Sequence, residues 1–199
     1  YKKSFHIRLN DGYNMLGMGS SKTWLLIANY VDNSQIRNAI TFDENFAEEM
    51  AKLCSKADII VPNLTEAAFL LGEEYVEPPY SKEYIESLLK RLSAIGPKKI
   101  VLTGVSFNED EIGCAVFNGG EIHYNFSEKY DGIYYGTGDV FASALIGAYM
   151  RGKNIFESAD IALDFTCAAI RRTHDAKTDT RFGVNFEQGI GDYINKLGG

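Results

Sequence analysis

Apolar and polar residues repeat along this chain with the two periods that distinguish strands from helices. Two predicted interior strands, 58–61 and 99–103, contain the apolar runs 59–61 and 100–102, and each is followed by a proline or a glycine that can end a strand. Elsewhere apolar residues recur every three or four positions, as they do on the buried face of a helix. The predicted helices cover 67–71 and 81–94, and four more begin near Thr41, Gly138, Phe156 and Asn185. This alternating order predicts an α/β fold.

A hairpin is predicted where two alternating segments, 113–117 and 121–126, flank Asn118-Gly119-Gly120. Asparagine and glycine tolerate the positive φ angles that tight two-residue turns require. We therefore expect an antiparallel pair at the edge of a sheet whose other strands are connected by helices.

Residues 1–40 differ from the rest of the chain in both pattern and charge. They predict a strand over 5–9, a turn over 10–14, a second strand over 24–28 and a short helix over 32–37. This segment holds five of the chain's 20 basic residues but only two of its 27 acidic ones. Such asymmetry is typical of segments of different origin, although a basic face on a single domain would give the same count.

The composition favours a globular enzyme over a nucleic-acid-binding or membrane protein. Hydrophobic residues make up 45% of the 199 positions and aromatic residues 13%, which is enough for a buried core. The net charge of -7 argues against a nucleic-acid surface, because such a surface needs clustered cations. No apolar stretch approaches the ~18 residues of a membrane helix, and residues 1–6 lack the apolar core of a signal peptide. We therefore expect a cytoplasmic protein with neither nucleic acid nor membrane as a partner.

The segment Gly136-Thr137-Gly138-Asp139 has the composition of an anion-binding turn. Glycines let the backbone approach a ligand, and the small and apolar residues that follow start a helix whose first N–H groups and dipole favour an anion. Asp139 would lie beside that anion, where a carboxylate can accept a proton from an attacking hydroxyl. Alternatively, Gly138 and Asp139 only cap the helix, since aspartate is favoured in a first turn in any case.

Polar residues also follow the two predicted interior strands. Asn63 and Glu66 come directly after the run 58–61 with the spacing of a helix capping box, which would be a purely structural role. Thr103 and Gly104 end the next strand, and open α/β sheets bind ligands at the carboxyl ends of their strands. The residues by themselves leave both roles open.

Taken together, these segments resemble the ribokinase superfamily and, within it, the pyridoxal kinases. The string 135–145 is similar to the superfamily's catalytic motif, 61–67 resembles its Asn-x-x-Glu motif, and 102–105 resembles the turn that contacts ATP phosphates. The segments 41–44 and 181–187 also resemble pyridoxal kinases. The order of the motifs favours pyridoxal over sugars as substrate.

The resemblance covers residues 41–199 and implies that they form the C-terminal, ATP-binding half of a pyridoxal kinase. The implied fold is a partial ribokinase-like three-layer α/β/α structure with a mostly parallel sheet and an antiparallel edge hairpin. The implied catalytic groups are Asp139 as general base and the amides of Gly136, Thr137 and Gly138. The implied ATP-binding residues are Asn63, Glu66, Thr103 and Gly104, and Glu66 would also bind Mg²⁺. The resemblance leaves open whether a monovalent cation binds as well.

Residues 1–40 resemble a different family, the spore-coat CotH family of atypical kinases. That family's catalytic acidic residues lie beyond this stretch, so the resemblance implies no CotH-type activity. We expect a join near residues 40 and 41 that leaves out the central strands and most of the vitamin pocket of a pyridoxal kinase. The sheet edge exposed in this way would be covered by the two N-terminal strands or by a second copy of the chain.

The expected function is ATP-dependent phosphorylation of the hydroxymethyl group of pyridoxal or a related vitamin B6 vitamer. A hydroxymethylpyrimidine or sugar kinase of the same superfamily would use the same Asp139 chemistry. A third alternative is a non-catalytic remnant that binds nucleotide or self-associates without turnover. The expected partners are a small pyridoxal-like substrate and, in a homodimer, a second copy of the chain.

Overall fold

The computed structural model describes residues 2–14, 20–29 and 45–198 of the chain. The short helix predicted over 32–37 and the helix start predicted over 41–44 lie outside these residues. The motifs that carry the candidate chemistry all lie inside them.

Six strands form one mixed sheet. They are β1 (Lys2–Asn14), β2 (Ser20–Asn29), β3 (Ala57–Ile60), β4 (Lys99–Val105), β5 (Glu111–Asn118) and β6 (Glu121–Glu128). Their order across the sheet is β2-β1-β3-β4-β5-β6. β3 and β4 pair in parallel, and the other neighbouring pairs are antiparallel.

The sheet therefore has fewer parallel strand pairs than the mostly parallel sheet that we expected. A parallel pair needs a long crossover connection, whereas a short turn can join only antiparallel neighbours. The described chain supplies such a crossover, with its helices, between β3 and β4. β5 and β6 follow β4 through short connections and so reverse direction each time.

Helices cover both faces of this sheet. They are α1 (Asn45–Cys54), α2 (Leu64–Leu71), α3 (Lys82–Ile95), α4 (Thr137–Met150), α5 (Ile155–Ala176) and α6 (Ile190–Lys196). α6 begins at Ile190 rather than near Asn185 as predicted, because the backbone of Asn185 bonds to side chains of α5 instead. Within the described residues, no helix has the length and apolar character needed to cross a membrane.

The alternation of side chains along β3 and β4 separates two apolar cores. Ile60, Ile100 and Leu102 belong to the core that contains α1, α2 and α3. Ile59 and Val101 belong to the core that contains α4 and α5. Successive strand residues point to opposite faces, so each strand contributes to both cores. This arrangement confirms the predicted three-layer α/β/α fold.

The N-terminal strands lie against the edge of β3. β1 runs antiparallel to β3, with Arg8 opposite Ile59. The turn predicted over 10–14 is wrong, because β1 continues through it and its register with β2 instead shifts between Arg8 and Tyr13. Such an irregularity absorbs extra residues within a strand pair. We expected either the N-terminal strands or a second copy of the chain to cover this edge, and β1 covers it by pairing with β3.

The hairpin of β5 and β6 matches its prediction. Asn118 pairs with Glu121, and the turn between them consists of Gly119 with φ 61° and Gly120 with φ 98°. Positive φ at both turn residues is what a type I′ hairpin turn requires. β6 is the edge strand on this side of the sheet.

The strands β3, β4 and β6 terminate at the same end of the sheet, which we call the carboxyl end. β6 has the direction of β4 because two antiparallel pairings separate them. α5 runs toward this end, since His123 of β6 stacks on Phe156 near the start of α5, with ring centroids 4.1 Å apart. Tyr130, just after β6, contacts His174 near the other end of α5, with ring centroids 5.1 Å apart. α4 follows β6 through the connection 129–136 and so begins at the carboxyl end.

Candidate active site

The first group of predicted site residues is brought together where β3 and β4 end. The N–H of Thr103 donates to the carbonyl oxygen of Pro62 at 2.9 Å, and Asn63 forms a parallel bridge with Thr103. The Thr103 hydroxyl also donates to the Pro62 oxygen at 3.4 Å. Asn63 and Thr103, which were predicted from two separate motifs, are therefore neighbours at the carboxyl end.

Asn63 and Glu66 form the helix capping box that their spacing predicted. The Asn63 Oδ1 accepts the N–H of Glu66 at 2.9 Å, and the Glu66 Oε2 accepts the N–H of Asn63 at 3.0 Å. Both residues are half-buried. Asn63 and Glu66 therefore have the structural role of capping α2. It leaves a ligand-binding role open, because an ionised carboxylate offers about four acceptor positions.

Gly104 interrupts the regular pairing of β4. Its φ of 79° is left-handed, and the register with β5 shifts between Thr103 and Val105. A residue with a side chain rarely adopts this conformation. Gly104 is exposed, so the irregularity presents backbone to solvent next to Thr103.

The second group lies at the start of α4. Gly136 precedes the helix with φ 77° and ψ 0°, and no side chain caps this end. The first intrahelical bond runs from the N–H of Val140 to the carbonyl of Gly136 at 3.0 Å. The amides of a first turn have no carbonyl partner within their own helix, and the helix dipole adds positive character there. This turn therefore suits an anion.

Space around this turn is open on the side of Gly138. A Cβ built on Gly138 meets no atom within 4 Å, and the residue is exposed. Thr137 is held by its hydroxyl, which donates to the carbonyl of Tyr134 at 3.3 Å. Asp139 lies half-buried in the same first turn. A carboxylate thus lies in the same helical turn as backbone N–H groups that could bind an anion.

The predicted residues thus lie in two groups, one at the start of α2 and one at the start of α4. Strand direction places both groups at the carboxyl end of the sheet. Two concavities of about 450 and 360 Å³ lie elsewhere, along α3 and between α5 and α6. None of the predicted site residues lines either of them.

A third element beside this site is the segment 181–187, which the sequence marked by its resemblance to pyridoxal kinases but to which it assigned no role. A Cβ built on Gly183 would lie 3.8 Å from the carbonyl oxygen of Tyr135, so the segment after α5 lies against the residue that precedes the glycine turn. The side chains that anchor this segment are Arg172 and Thr173 of α5. Neither residue belongs to a motif. The signal that pointed to this part of the chain was the resemblance over 181–187, which does not include them.

Substituting the two glycines of the turn should separate folding from ligand binding. Gly138→Ala adds a methyl group in open space within a helix, so we expect stability to rise by up to ~1 kcal/mol. The same methyl would crowd an anion bound to the turn, so ATP affinity should fall. Gly136→Ala places a side chain at a left-handed φ and should cost ~1–2 kcal/mol of stability. Urea unfolding and calorimetric ATP titration measure both effects; unchanged ATP affinity in Gly138→Ala would exclude an anion at this turn.

The fold and the site together define a class of protein. A glycine turn at a helix N-terminus, at the carboxyl end of an α/β sheet, is a typical phosphate-binding arrangement. Among the described residues, no cluster of three or more His, Cys, Asp or Glu side chains could hold a metal ion by itself. These features are typical of phosphate-binding α/β proteins. The chain belongs to the phosphomethylpyrimidine kinase family, whose model matches residues 29–184.

Individual relatives are named as two different vitamin kinases. A hydroxymethylpyrimidine/phosphomethylpyrimidine kinase of Aquifex aeolicus is 24% identical over 155 residues, which are 77% of this chain and 59% of the relative. Pyridoxal kinase from Lactobacillus plantarum is 31% identical, with a TM-score of 0.68 over 77% of this chain and 55% of that structure. A Bacteroides thetaiotaomicron protein, provisionally named phosphomethylpyrimidine kinase and crystallised with pyridoxal, is 30% identical, with a TM-score of 0.70 over the same shares. The chain spans less than two thirds of each relative.

Proposed function

We propose that this chain is the phosphoryl-transfer part of a kinase that phosphorylates the hydroxymethyl group of pyridoxal or a related vitamer with ATP. The observation that carries the proposal is the anion-binding turn of Gly136, Thr137 and Gly138 with Asp139 one residue further on. Membership of a kinase family supports phosphoryl transfer as the reaction. Two helices begin at the carboxyl end: α2, which Asn63 caps, and α4, which has no side-chain cap. In this proposal their N-terminal turns provide positions for phosphate groups.

Asp139 acts as the general base in this proposal. Its carboxylate accepts the proton of the substrate hydroxymethyl group, while the hydroxyl oxygen forms a bond to the γ-phosphorus of ATP. The bond from that phosphorus to the bridging oxygen breaks, so ADP leaves, and Asp139 later returns the proton to solvent. The amides of Gly136, Thr137 and Gly138 stabilise the charge on the transferring phosphoryl, where one well-placed donor is worth ~3 kcal/mol.

Asn63, Glu66, Thr103 and Gly104 bind the ATP phosphates and Mg²⁺ in this proposal. A protein site for Mg²⁺ in kinases commonly uses one or two carboxylates together with substrate phosphates and water. The half-buried Glu66 carboxylate fits that requirement without a cluster of acidic residues. Bound Mg²⁺ would neutralise phosphate charge. The backbone around Thr103 and Gly104 offers close approach to a phosphate.

Pyridoxal is the first candidate substrate because two of the similar structures are linked to it by name or by bound ligand. Hydroxymethylpyrimidine is the second, because the family model and the Aquifex relative are named for that ring. Both substrates present a hydroxymethyl group on a heteroaromatic ring. The same base and phosphate site would serve either of them.

A non-catalytic nucleotide-binding remnant is the rival proposal, because an anion-binding turn alone binds nucleotide without turnover. We keep the division into 1–40 and 41–199, with the CotH-like origin of the first part, as a proposal. The family match begins at residue 29, within the first part. The pairing of β1 with β3 supports a role for this part in covering the edge of the sheet. A homodimer is the alternative source of missing substrate contacts.

ADP release by the purified chain with magnesium-ATP tests the proposal directly. We expect release to rise when pyridoxal is added, and a panel with hydroxymethylpyrimidine and ribose assigns the substrate class. ATP binding by calorimetry, with no substrate-dependent release by the monomer or any dimer, would support the remnant. Absence of ATP binding in the folded protein would contradict the kinase proposal altogether.

A further inference from the structure

The segment that follows α5 is anchored to that helix by a compact set of hydrogen bonds around Asn185. The N–H of Asn185 donates to the Thr173 Oγ1 at 2.8 Å, and its carbonyl accepts from the Arg172 Nε at 2.9 Å. The Asn185 side-chain amide donates to the Thr178 hydroxyl at 3.3 Å. Both backbone groups of one residue are thus fixed by two consecutive side chains. We call Arg172, Thr173 and Asn185 the clamp.

Thr173 is the buried member of the clamp, whereas Arg172 and Asn185 are half-buried. Thr173 is 1% exposed, and its hydroxyl donates onward to the carbonyl of Ala169 at 2.7 Å. Gly189 leaves room for the Arg172 guanidinium, since a Cβ built there would lie 2.5 Å from Nη2. A hydroxyl that both donates and accepts in a buried position can be replaced by a methyl group only with the loss of both bonds. The clamp therefore has a defined geometry.

This clamp holds the chain against the candidate site. Gly183 lies two residues before Asn185 and packs near the carbonyl of Tyr135, which directly precedes Gly136. Val184, between Gly183 and Asn185, is buried. The path from Thr173 to the glycine turn thus consists of one hydrogen bond, two residues of anchored chain and one close approach, in which a Cβ at Gly183 would lie 3.8 Å from the Tyr135 carbonyl oxygen.

We propose that Arg172 and Thr173 are positioning residues that fix the anion-binding turn at Gly136 through the segment 183–185. They do not touch the phosphoryl group themselves. The inference rests on the proposed function for its catalytic meaning, but the mechanical coupling from α5 to the turn can be measured without any ligand. Small displacements of a phosphate site have large effects on transfer, because reacting atoms must be aligned closely.

Thr173→Val and Thr173→Ser test the coupling in the full chain. Valine keeps the shape of the side chain and removes the hydroxyl, whereas serine keeps the hydroxyl. Hydrogen–deuterium exchange should accelerate over residues 131–140 in Thr173→Val and stay at the wild-type rate in Thr173→Ser. Calorimetric titration with magnesium-ATP should show ~3- to 10-fold weaker binding for the valine variant at unchanged stoichiometry. The stoichiometry reports the folded fraction, so general unfolding is distinguishable from altered geometry.

A second variant approaches the clamp from Arg172. Gly189→Ala should displace the guanidinium and reproduce the faster exchange over 131–140, whereas Gly191→Ala, where a Cβ meets no atom within 4 Å, should not. If Thr173→Val fails to fold, the comparison of Gly189→Ala with Gly191→Ala still tests the coupling. Faster exchange confined to residues 178–187, with ATP affinity unchanged, would overturn the inference. If the wild-type chain binds no magnesium-ATP, the proposed function fails, while the exchange comparison still decides the coupling.

Discussion

Asp139→Asn should reduce substrate-dependent ADP release by a factor of ~10²–10⁴, the usual contribution of a general base. Asparagine has nearly the same shape as aspartate and is tolerated in a first helical turn, so the fold of α4 should persist. The amide cannot accept the hydroxyl proton, so the loss should appear in kcat. ATP binding should remain, since the amides of the turn are unchanged. Steady-state kinetics together with ATP titration measure the two effects separately.

A matched control for this variant lies in another helix of the same chain. Asp192 is an exposed aspartate in the first turn of α6, so Asp192→Asn makes the same chemical change at the same kind of position. We expect its turnover to equal that of the wild type. Turnover that survives Asp139→Asn in an active chain would show that another group removes the proton.

Leu145→Ala should lower the free energy of unfolding by ~2–5 kcal/mol, the range for deletion of a buried leucine side chain. Leu145 is 0% exposed and lies in the core that joins α4 to β3 and β4. Its loss removes apolar contacts and leaves a cavity beneath the helix that carries Asp139. Urea unfolding followed by circular dichroism gives the difference in free energy.

Met150 provides the comparison for this effect. It ends the same helix but is 61% exposed, so Met150→Ala should change stability by less than about 0.5 kcal/mol. A similar loss of stability in both variants would mean that burial does not determine the cost, since alanine has a higher helix propensity than either leucine or methionine. A loss below 1 kcal/mol in Leu145→Ala would contradict the two-core description of the fold.

Local chemistry explains which elements the sequence predicted well. The hairpin at Gly119 and Gly120 depends on two residues that adopt positive φ, and this preference is visible in the sequence. The capping box of Asn63 and Glu66 depends on residues three apart within one helical turn. The glycine turn at Gly136 is local in the same sense. Each was predicted because its partners are neighbours in the chain.

Elements that depend on distant partners were predicted poorly. The turn expected over 10–14 is part of β1, because strand pairing over a long stretch outweighs the turn preference of Asn, Asp and Gly. The helix expected near Asn185 begins at Ile190, because Arg172 and Thr173 take the backbone bonds of Asn185. The roles of Asp139, Glu66 and their neighbours as site residues stay predictions until the variants are measured.

The sequence by itself determined the α/β class, the capped start of α2, the glycine turn before α4 and the positions of the polar residues that follow strands, because these depend on periodicity and on contacts within a few residues. Only the tertiary structure decided that Asn63 meets Thr103, that β1 covers β3 and that Gly183 lies against Tyr135. Such contacts join residues far apart in the chain, and their geometry is set by how sheets and helices pack as a whole. For that reason the candidate chemistry was visible in the sequence, while the groups that position it were not.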